Sequence, residues 1–422
     1  MKYIKVILVL SVFCCYLNSS PIFAQDSISF FNKILKGKPK PPPEKGSFYF
    51  SPLPALSVNP AHGFMYGVAA SASGYLGNPE DTKISNAFIA AIFTTKQQFI
   101  FNLKSTVYSE QNTFLALGDW RYLNSSQETW GLGTGSQSAR LAYTDFNNFE
   151  GNVQGVTEAN NLEFELIRFY ETILRRLDTT PLYIGLGVHI DVFNKIKDPL
   201  LDLEASPKQI TPYYAYNAYY GFHQNKSNLI GLSANAVYDS RDNVNTPYSG
   251  RYAMLRFKYN PEFLGSDKTS SQLWLEYRDY LSIKKDHKTI LAFWGYANLT
   301  LSGDLPYMSL PALGWDQYAK SGEPYAQGRF RGDNLLFSAV ELRQHIWATK
   351  NNPRFLGAVG FVNATTASGA GNGIALFEYI NPGYGLGLRI NISKNARTNI
   401  GLDYGWGSYG ATGFFLKLNE TF

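Results

Sequence analysis

Along most of this chain, apolar and polar residues alternate one by one in segments of about ten residues. In 252–259, Ala253, Leu255, Phe257 and Tyr259 share one parity, and Met254, Arg256 and Lys258 share the other. In 273–278, Leu273, Leu275 and Tyr277 alternate with Trp274, Glu276 and Arg278. In 384–392, Tyr384, Leu386, Leu388, Ile390 and Ile392 alternate with Gly385, Gly387, Arg389 and Asn391. In 400–406, Ile400, Leu402, Tyr404 and Trp406 alternate with Gly401, Asp403 and Gly405. Successive side chains of a strand point to opposite faces, so each segment separates two environments. The apolar set must face lipid, because hydrocarbon cannot solvate charge, and the charged set then faces a wet lumen. A soluble sandwich also alternates. It does not need aromatics at both ends of so many strands, or charge on its enclosed face.

Aromatics make up 15 % of the chain, glycine is abundant, and mean hydropathy is slightly polar. Beyond the N-terminus no stretch offers 18 consecutive apolar residues, so no membrane helix is expected. The fold class expected is all-β: an antiparallel transmembrane β-barrel of about sixteen strands, an even number as a single-chain barrel requires. The segments are 64–75, 84–95, 97–109, 113–123, 128–136, 160–175, 181–193, 228–239, 250–260, 271–283, 287–301, 334–347, 354–364, 383–393, 397–407 and 412–422. Arg168 interrupts the alternation of 160–175, which suggests a bulge there. Short turns at 94–96, 284–286 and 393–395 suit the periplasmic rim; the long links 137–159, 194–227, 302–333 and 365–382 suit the outer face.

The N-terminus reads as a secretory signal over 1–24. Lys2 and Lys5 precede an apolar run from Val6 to Phe13, and Ala24 stands at the cleavage point. A lipoprotein signal using Cys14 or Cys15 is the rival, disfavoured by Phe13 where a small residue belongs. Those two cysteines are the chain's only ones, so the mature part has no disulfide or thiolate metal site. Removing Lys2 and Lys5 from a net charge of +5 leaves +3, too weak a balance to argue for nucleic acid. Residues 25–48 are proline-rich and charged and read as a disordered periplasmic tether, leaving 49–422 as the barrel.

Several motifs then carry a family resemblance. Tyr238-Asp239-Ser240-Arg241-Asp242-Asn243, followed by Pro247 and Gly250, resembles the strand end and turn before the ninth strand of the BamA/TamA family of bacterial surface-antigen barrels. Gly328-Arg329-Phe330-Arg331-Gly332-Asp333 resembles the tip of that family's long sixth outer loop, and Ala339-Val340-Glu341-Leu342-Arg343 its twelfth strand. Gly385-Leu386-Gly387-Leu388-Arg389 and Gly401-Leu402-Asp403-Tyr404-Gly405 resemble the two strands before the last. The resemblance covers 230–422 and fades over 49–227, where strand pattern alone supports the barrel.

It implies that the sixth loop folds back into the lumen, where Arg331 clasps Glu341, with Gly332 making a tight turn. Two positions depart from the family pattern. Asp333 stands where an aromatic is wanted, and Asn363 stands where the thirteenth strand carries a second acid. Without the loop in that place, Arg331 would be a solvated loop residue and Glu341 would pair with Arg343 or His345. The family's assembly and secretion members carry periplasmic client-binding domains before the barrel. About two dozen residues between Ala24 and the barrel are too few for one, since small domains become marginal below roughly 40 residues.

The resemblance thus implies protein assembly or translocation at the outer membrane, with a periplasmic or membrane partner and a client polypeptide. The alternative is a substrate-specific or passive pore. The alternation assigns Arg256, Glu276, Arg278, Arg343, Arg389 and Asp403 to the lumen. Phe414, Leu416, Leu418 and Phe422 share one face of the last strand, an exposed edge that would present the chain to insertion machinery; Glu420 interrupts that face. The five histidines lie far apart, no nucleophile elbow is present, and neither a cofactor nor catalysis is expected.

Overall fold

The computed structural model describes residues 43–59, 63–139, 149–420 and 422. The expected signal peptide, 1–24, and residues 25–42 of the expected tether lie outside the described residues. Sixteen antiparallel strands follow one another in chain order in one sheet. They are β1 Phe48–Asn59, β2 Gly63–Gly74, β3 Ser85–Thr94, β4 Phe99–Tyr108, β5 Phe114–Thr129, β6 Asn160–Arg176, β7 Leu182–Lys197 and β8 Ser227–Asp239, then β9 Gly250–Asn260, β10 Ser270–Ser282, β11 Thr289–Ser302, β12 Asn334–Trp347, β13 Leu356–Ala367, β14 Asn381–Ser393, β15 Thr398–Gly407 and β16 Thr412–Leu418. The sheet curls into a barrel, so that the Tyr49 hydroxyl of β1 accepts a hydrogen bond from Asn395, between β14 and β15 (3.4 Å).

The burial pattern is inverted relative to a soluble protein. Leu386 and Phe414 are 65 % and 73 % exposed, whereas Asp403, inside, is fully buried. Apolar side chains from nearly every strand form this outer band, an apolar surface far larger than a water-facing protein carries. No helix among the described residues is long and apolar enough to cross a membrane.

Three expectations are corrected. First, Phe48–Asn59 is a strand despite Pro52 and Pro54, whereas the expected strands begin only at residue 64. Proline fits a paired strand where its nitrogen points away from the partner. Pro52 and Pro54 have the same parity and sit opposite Ala70 and Val68 of β2, so both nitrogens face the open side of β1.

Second, 128–136 is not a strand of its own, because β5 runs unbroken to Thr129 against β6. One strand gained and one lost keep the count at sixteen, but the parity of everything between them flips. The turn after Thr94 therefore lies on the same rim as the long loops 130–159, 198–226, 303–333 and 368–380, opposite the rim that carries 283–288 and 394–397.

Third, Arg168 does not break its strand. It lies in phase with Leu162, Phe164 and Leu166, which also point inward. Those three are apolar because the long-loop rim of the lumen is packed, not wet. They join a core with Tyr213 and Tyr216 of helix α1 (Pro212–Tyr220) and with Tyr307 and Leu310. The register irregularity falls at Glu163/Glu165 instead.

Candidate functional site

The link 303–333 between β11 and β12 does not extend into solvent. It descends through the lumen and bonds to the wall on both sides. Arg121 of β5 donates to the carbonyls of Asp316 (3.0 Å) and Gln317 (3.2 Å). Gln127 donates to Gln327 O (2.8 Å), and the Tyr318 hydroxyl meets Thr106 Oγ1 of β4 (2.8 Å). On the other side the Glu323 carboxylate pairs with Lys417 of β16 (2.8 Å), and the Tyr325 hydroxyl donates to the carbonyl of Pro382 at the start of β14.

The expected clasp between Arg331 and Glu341 does not form. Arg331 is fully buried, with its Nη1 on the Tyr307 carbonyl (2.8 Å), its Nη2 on Gln127 Oε1 (3.2 Å), and its guanidinium 5.2 Å from the centre of the Tyr307 ring. Glu341 is held by Arg343, its neighbour but one on the same strand face (2.8 Å). A strand places residues i and i+2 side by side, so this partner needs no loop to deliver it.

Gly332 has a different task from the expected turn. A Cβ there would stand 1.7 Å from the Ser368 carbonyl oxygen, so glycine permits a close backbone contact, while the left-handed residue of the tip is Gly328 (φ +79°). Asn363 holds the loop by its amide, which donates to the Glu323 carbonyl. An aspartate could not make that bond while ionised.

The acid-x-Arg arrangement of Glu341 and Arg343 recurs. Asp119 pairs with Arg121 (2.6 Å), Asp239 with Arg241 (2.6 Å) and Glu276 with Arg278 (2.7 Å). Each is legible as two charges separated by one residue on the inward parity. Other pairs cross between strands: Arg168 of β6 to Asp191 of β7 (2.7 Å), and Asp403 of β15 to both Arg389 of β14 and Lys417 of β16 (2.6 Å to the lysine). Arg256, whose Nε donates to Asn235 Oδ1 (3.1 Å), has no carboxylate partner among the described residues.

The C-terminus also departs from expectation. Phe414 and Leu416 face outward, and Leu418 ends β16 half-buried. Asn419 then takes a positive φ of 62°, which swings the tail into the barrel. Glu420, expected on the lipid face, is buried between Arg389 Nε (2.7 Å) and Asn399 Nδ2 (2.6 Å). Phe422 packs on Trp294 and Tyr280 (ring centres 5.3 and 6.3 Å apart), and its oxygen accepts from Arg343 (2.8 Å).

The tail is capped from above by Lys320 of the lumen loop, which donates to the carbonyls of Leu418 (3.1 Å) and Glu420. From below, the turn after Asp239 closes the short-turn rim, with Asn245 donating to Ser73 Oγ (3.0 Å) and to Ala396 O (2.8 Å). Sequence reasoning missed this inward tail. Its signals were Glu420 itself, a charge on the apolar parity, and Asn419, a residue that tolerates positive φ.

A seam remains. The ladder begins at β1 and ends at β16, and among the described residues no register of backbone bonds joins them. The two edges flank a cavity of about 500 Å³ whose lining includes Leu53, Ala55, Tyr318, Lys320, Phe415 and Lys417.

Comparison with known proteins finds a family match over residues 178–422, to the Omp85 superfamily domain. Among solved structures, BamA from Haemophilus ducreyi lacking POTRA domains 1–3 is similar, with a TM-score of 0.50 at 15 % identity, covering 89 % of this chain and 69 % of that one. CdiB from Acinetobacter baumannii is matched with a TM-score of 0.48 at 9 % identity, over 87 % of this chain and 59 % of that one. No curated protein matches the chain.

Proposed function

Because the chain belongs to the Omp85 superfamily, we propose that it serves polypeptide assembly or translocation at the bacterial outer membrane, acting with a partner protein and a client chain. The outer apolar band meets the lipid. The observation that carries this reading is the contrast between a filled lumen and an unzipped seam. Loop 303–333 bonds to wall strands from β4 round to β16, and aromatic side chains pack the long-loop mouth. A passive pore needs an open lumen, so this filling weighs against the alternative. The seam edge of β1 lacks backbone donors at Pro52 and Pro54 and so cannot be sealed by a full ladder. An edge of that kind leaves carbonyls and the remaining amides for an incoming strand.

The test uses the full chain purified from native membranes. A stoichiometric protein partner, together with loss of client assembly when Leu53→Cys and Phe415→Cys are joined by a short bismaleimide, would support the reading. A solitary barrel with steady large conductance, unaffected by that cross-link, would overturn it and restore the pore.

A further inference from the structure

Between the wall strands β5 to β11 and residues 308–317 of the lumen loop lies a second cavity, of about 120 Å³. Its wall follows the sheet register: Tyr170 sits opposite His189, Lys258 opposite Gln272, and Arg256 opposite Trp274. The charges around it divide unevenly. Asp119 is taken by Arg121, Asp191 by Arg168 and the Tyr170 hydroxyl, and Glu276 by Arg278 and the Trp294 ring N–H (2.9 Å). Asp316 is turned back onto its own loop, accepting from the Ser321 amide (2.9 Å) and hydroxyl (2.6 Å) and the Lys320 amide (3.1 Å). Two cations are left over.

Lys258 is 9 % exposed and makes no hydrogen bond or ion pair with a described residue; its ammonium lies 5.6 Å from the centre of the Tyr170 ring. Arg256 has only Asn235 and the Met254 sulfur (3.8 Å). Polar atoms lining the same space are also unsatisfied: the Trp315 ring N–H, His189 Nδ1 and Gln272 Oε1 have no partner among the described residues. His189 is 1 % exposed and Gln272 6 %. Buried polar groups are normally paired, and buried charges almost always so. Here a guanidinium, an ammonium and an indole N–H are grouped around one small space with every nearby carboxylate already engaged.

We infer that this cavity is a binding site for a small tetrahedral oxyanion, phosphate or sulfate, held by Arg256 and Lys258 with the Trp315 N–H. Charge-assisted bonds to such an anion satisfy both cations at once. The cavity lies inside the barrel, under the loop, which favours a free ion over a lipid headgroup. Trp315 belongs to the loop and Arg256 and Lys258 to the wall, so a bound anion would fasten the loop to β9.

The test is thermal unfolding of the full chain in detergent, in sodium phosphate and in sodium chloride at matched ionic strength, with phosphate affinity measured by calorimetry. The expected result is a saturable rise in Tm with phosphate. Its apparent affinity should fall at least about tenfold in Lys258→Gln and in Arg256→Gln, as the loss of one charge-assisted bond implies. Lys258→Arg, which keeps the charge, should retain binding, as should Lys285→Gln on an exposed turn. Equal Tm in the two salts, or an unchanged phosphate response in both neutral variants, would overturn the assignment.

Discussion

Lys320, on the loop that fills the lumen, donates to the carbonyl oxygen of Leu418, the last residue of the strand at the seam (3.1 Å). The loop thus grips the free edge of the barrel, with a second bond to the Glu420 carbonyl. Lys320→Met keeps the bulk and removes the donor. A hydrogen bond from a charged donor contributes about 1.5–3 kcal/mol, so amide exchange over 412–420 should quicken roughly tenfold or more while β6 to β10 exchange as in wild type. Mass-spectrometric hydrogen exchange reads this directly; an unchanged β16 would separate the loop from the seam.

Asn363 makes another of the loop's attachments, through its amide and the Glu323 carbonyl. Asn363→Asp removes the donor and sets a negative charge against an oxygen. The expected loss is about 1–3 kcal/mol at neutral pH. It should shrink in acid, where the protonated carboxyl can donate again. Thermal melts in detergent at pH 4 and pH 7 compare the two; a variant as stable as wild type at pH 7 would mean that the amide bond does not hold the loop.

Arg331 and Glu341 each have other partners, so they should act independently. In a double-mutant cycle, Arg331→Met with Glu341→Gln should show coupling below about 0.5 kcal/mol, whereas Arg343→Met with Glu341→Gln should couple by about 1–3 kcal/mol. Strong coupling in the first pair would restore the clasp. Arg331→Met alone should still loosen the loop, since it drops the bonds to Tyr307 and Gln127, and limited proteolysis of 303–333 would show it.

Phe422 and Glu420 hold the inward tail. Phe422→Ala should lower the stability of the folded barrel by about 3–5 kcal/mol, the usual cost of emptying a buried aromatic site, because its ring packs on Trp294. Glu420→Gln should leave Arg389 with Asp403 alone and destabilise less. Refolding in detergent followed by heat-modifiable gel migration measures both. If Phe422→Ala slows insertion in cells yet refolds with wild-type stability, the residue acts as an insertion signal and not as a lumen anchor.

The strands were legible wherever lipid and water enforced alternation, as in Tyr384 to Ile392, because a slip of one residue would turn Arg389 into hydrocarbon. β1 was hidden because Pro52 and Pro54 suppress strand readings, and only the sheet reveals that its outer edge needs no donors. The paired charges Glu341 and Arg343 were visible as an i, i+2 set, yet the family pattern assigned the acid to Arg331 in the loop before its strand. No local rule placed Arg331 against the Tyr307 carbonyl, or turned Glu420 inward, since both depend on how a long loop settles inside a closed wall.

The acid-x-Arg pairs have a consequence for how the wall can deform. In β5, β10 and β12 the acid and the arginine of each pair travel together on one strand, so sliding such a strand past its neighbour bares neither of them. At β6–β7, β14–β15 and β15–β16 the partners sit on different strands, and shear there would pull Arg168 from Asp191 and Asp403 from Arg389 or Lys417. The wall is thus divided into electrically self-contained staves and riveted joints, and any widening should be taken up between the staves.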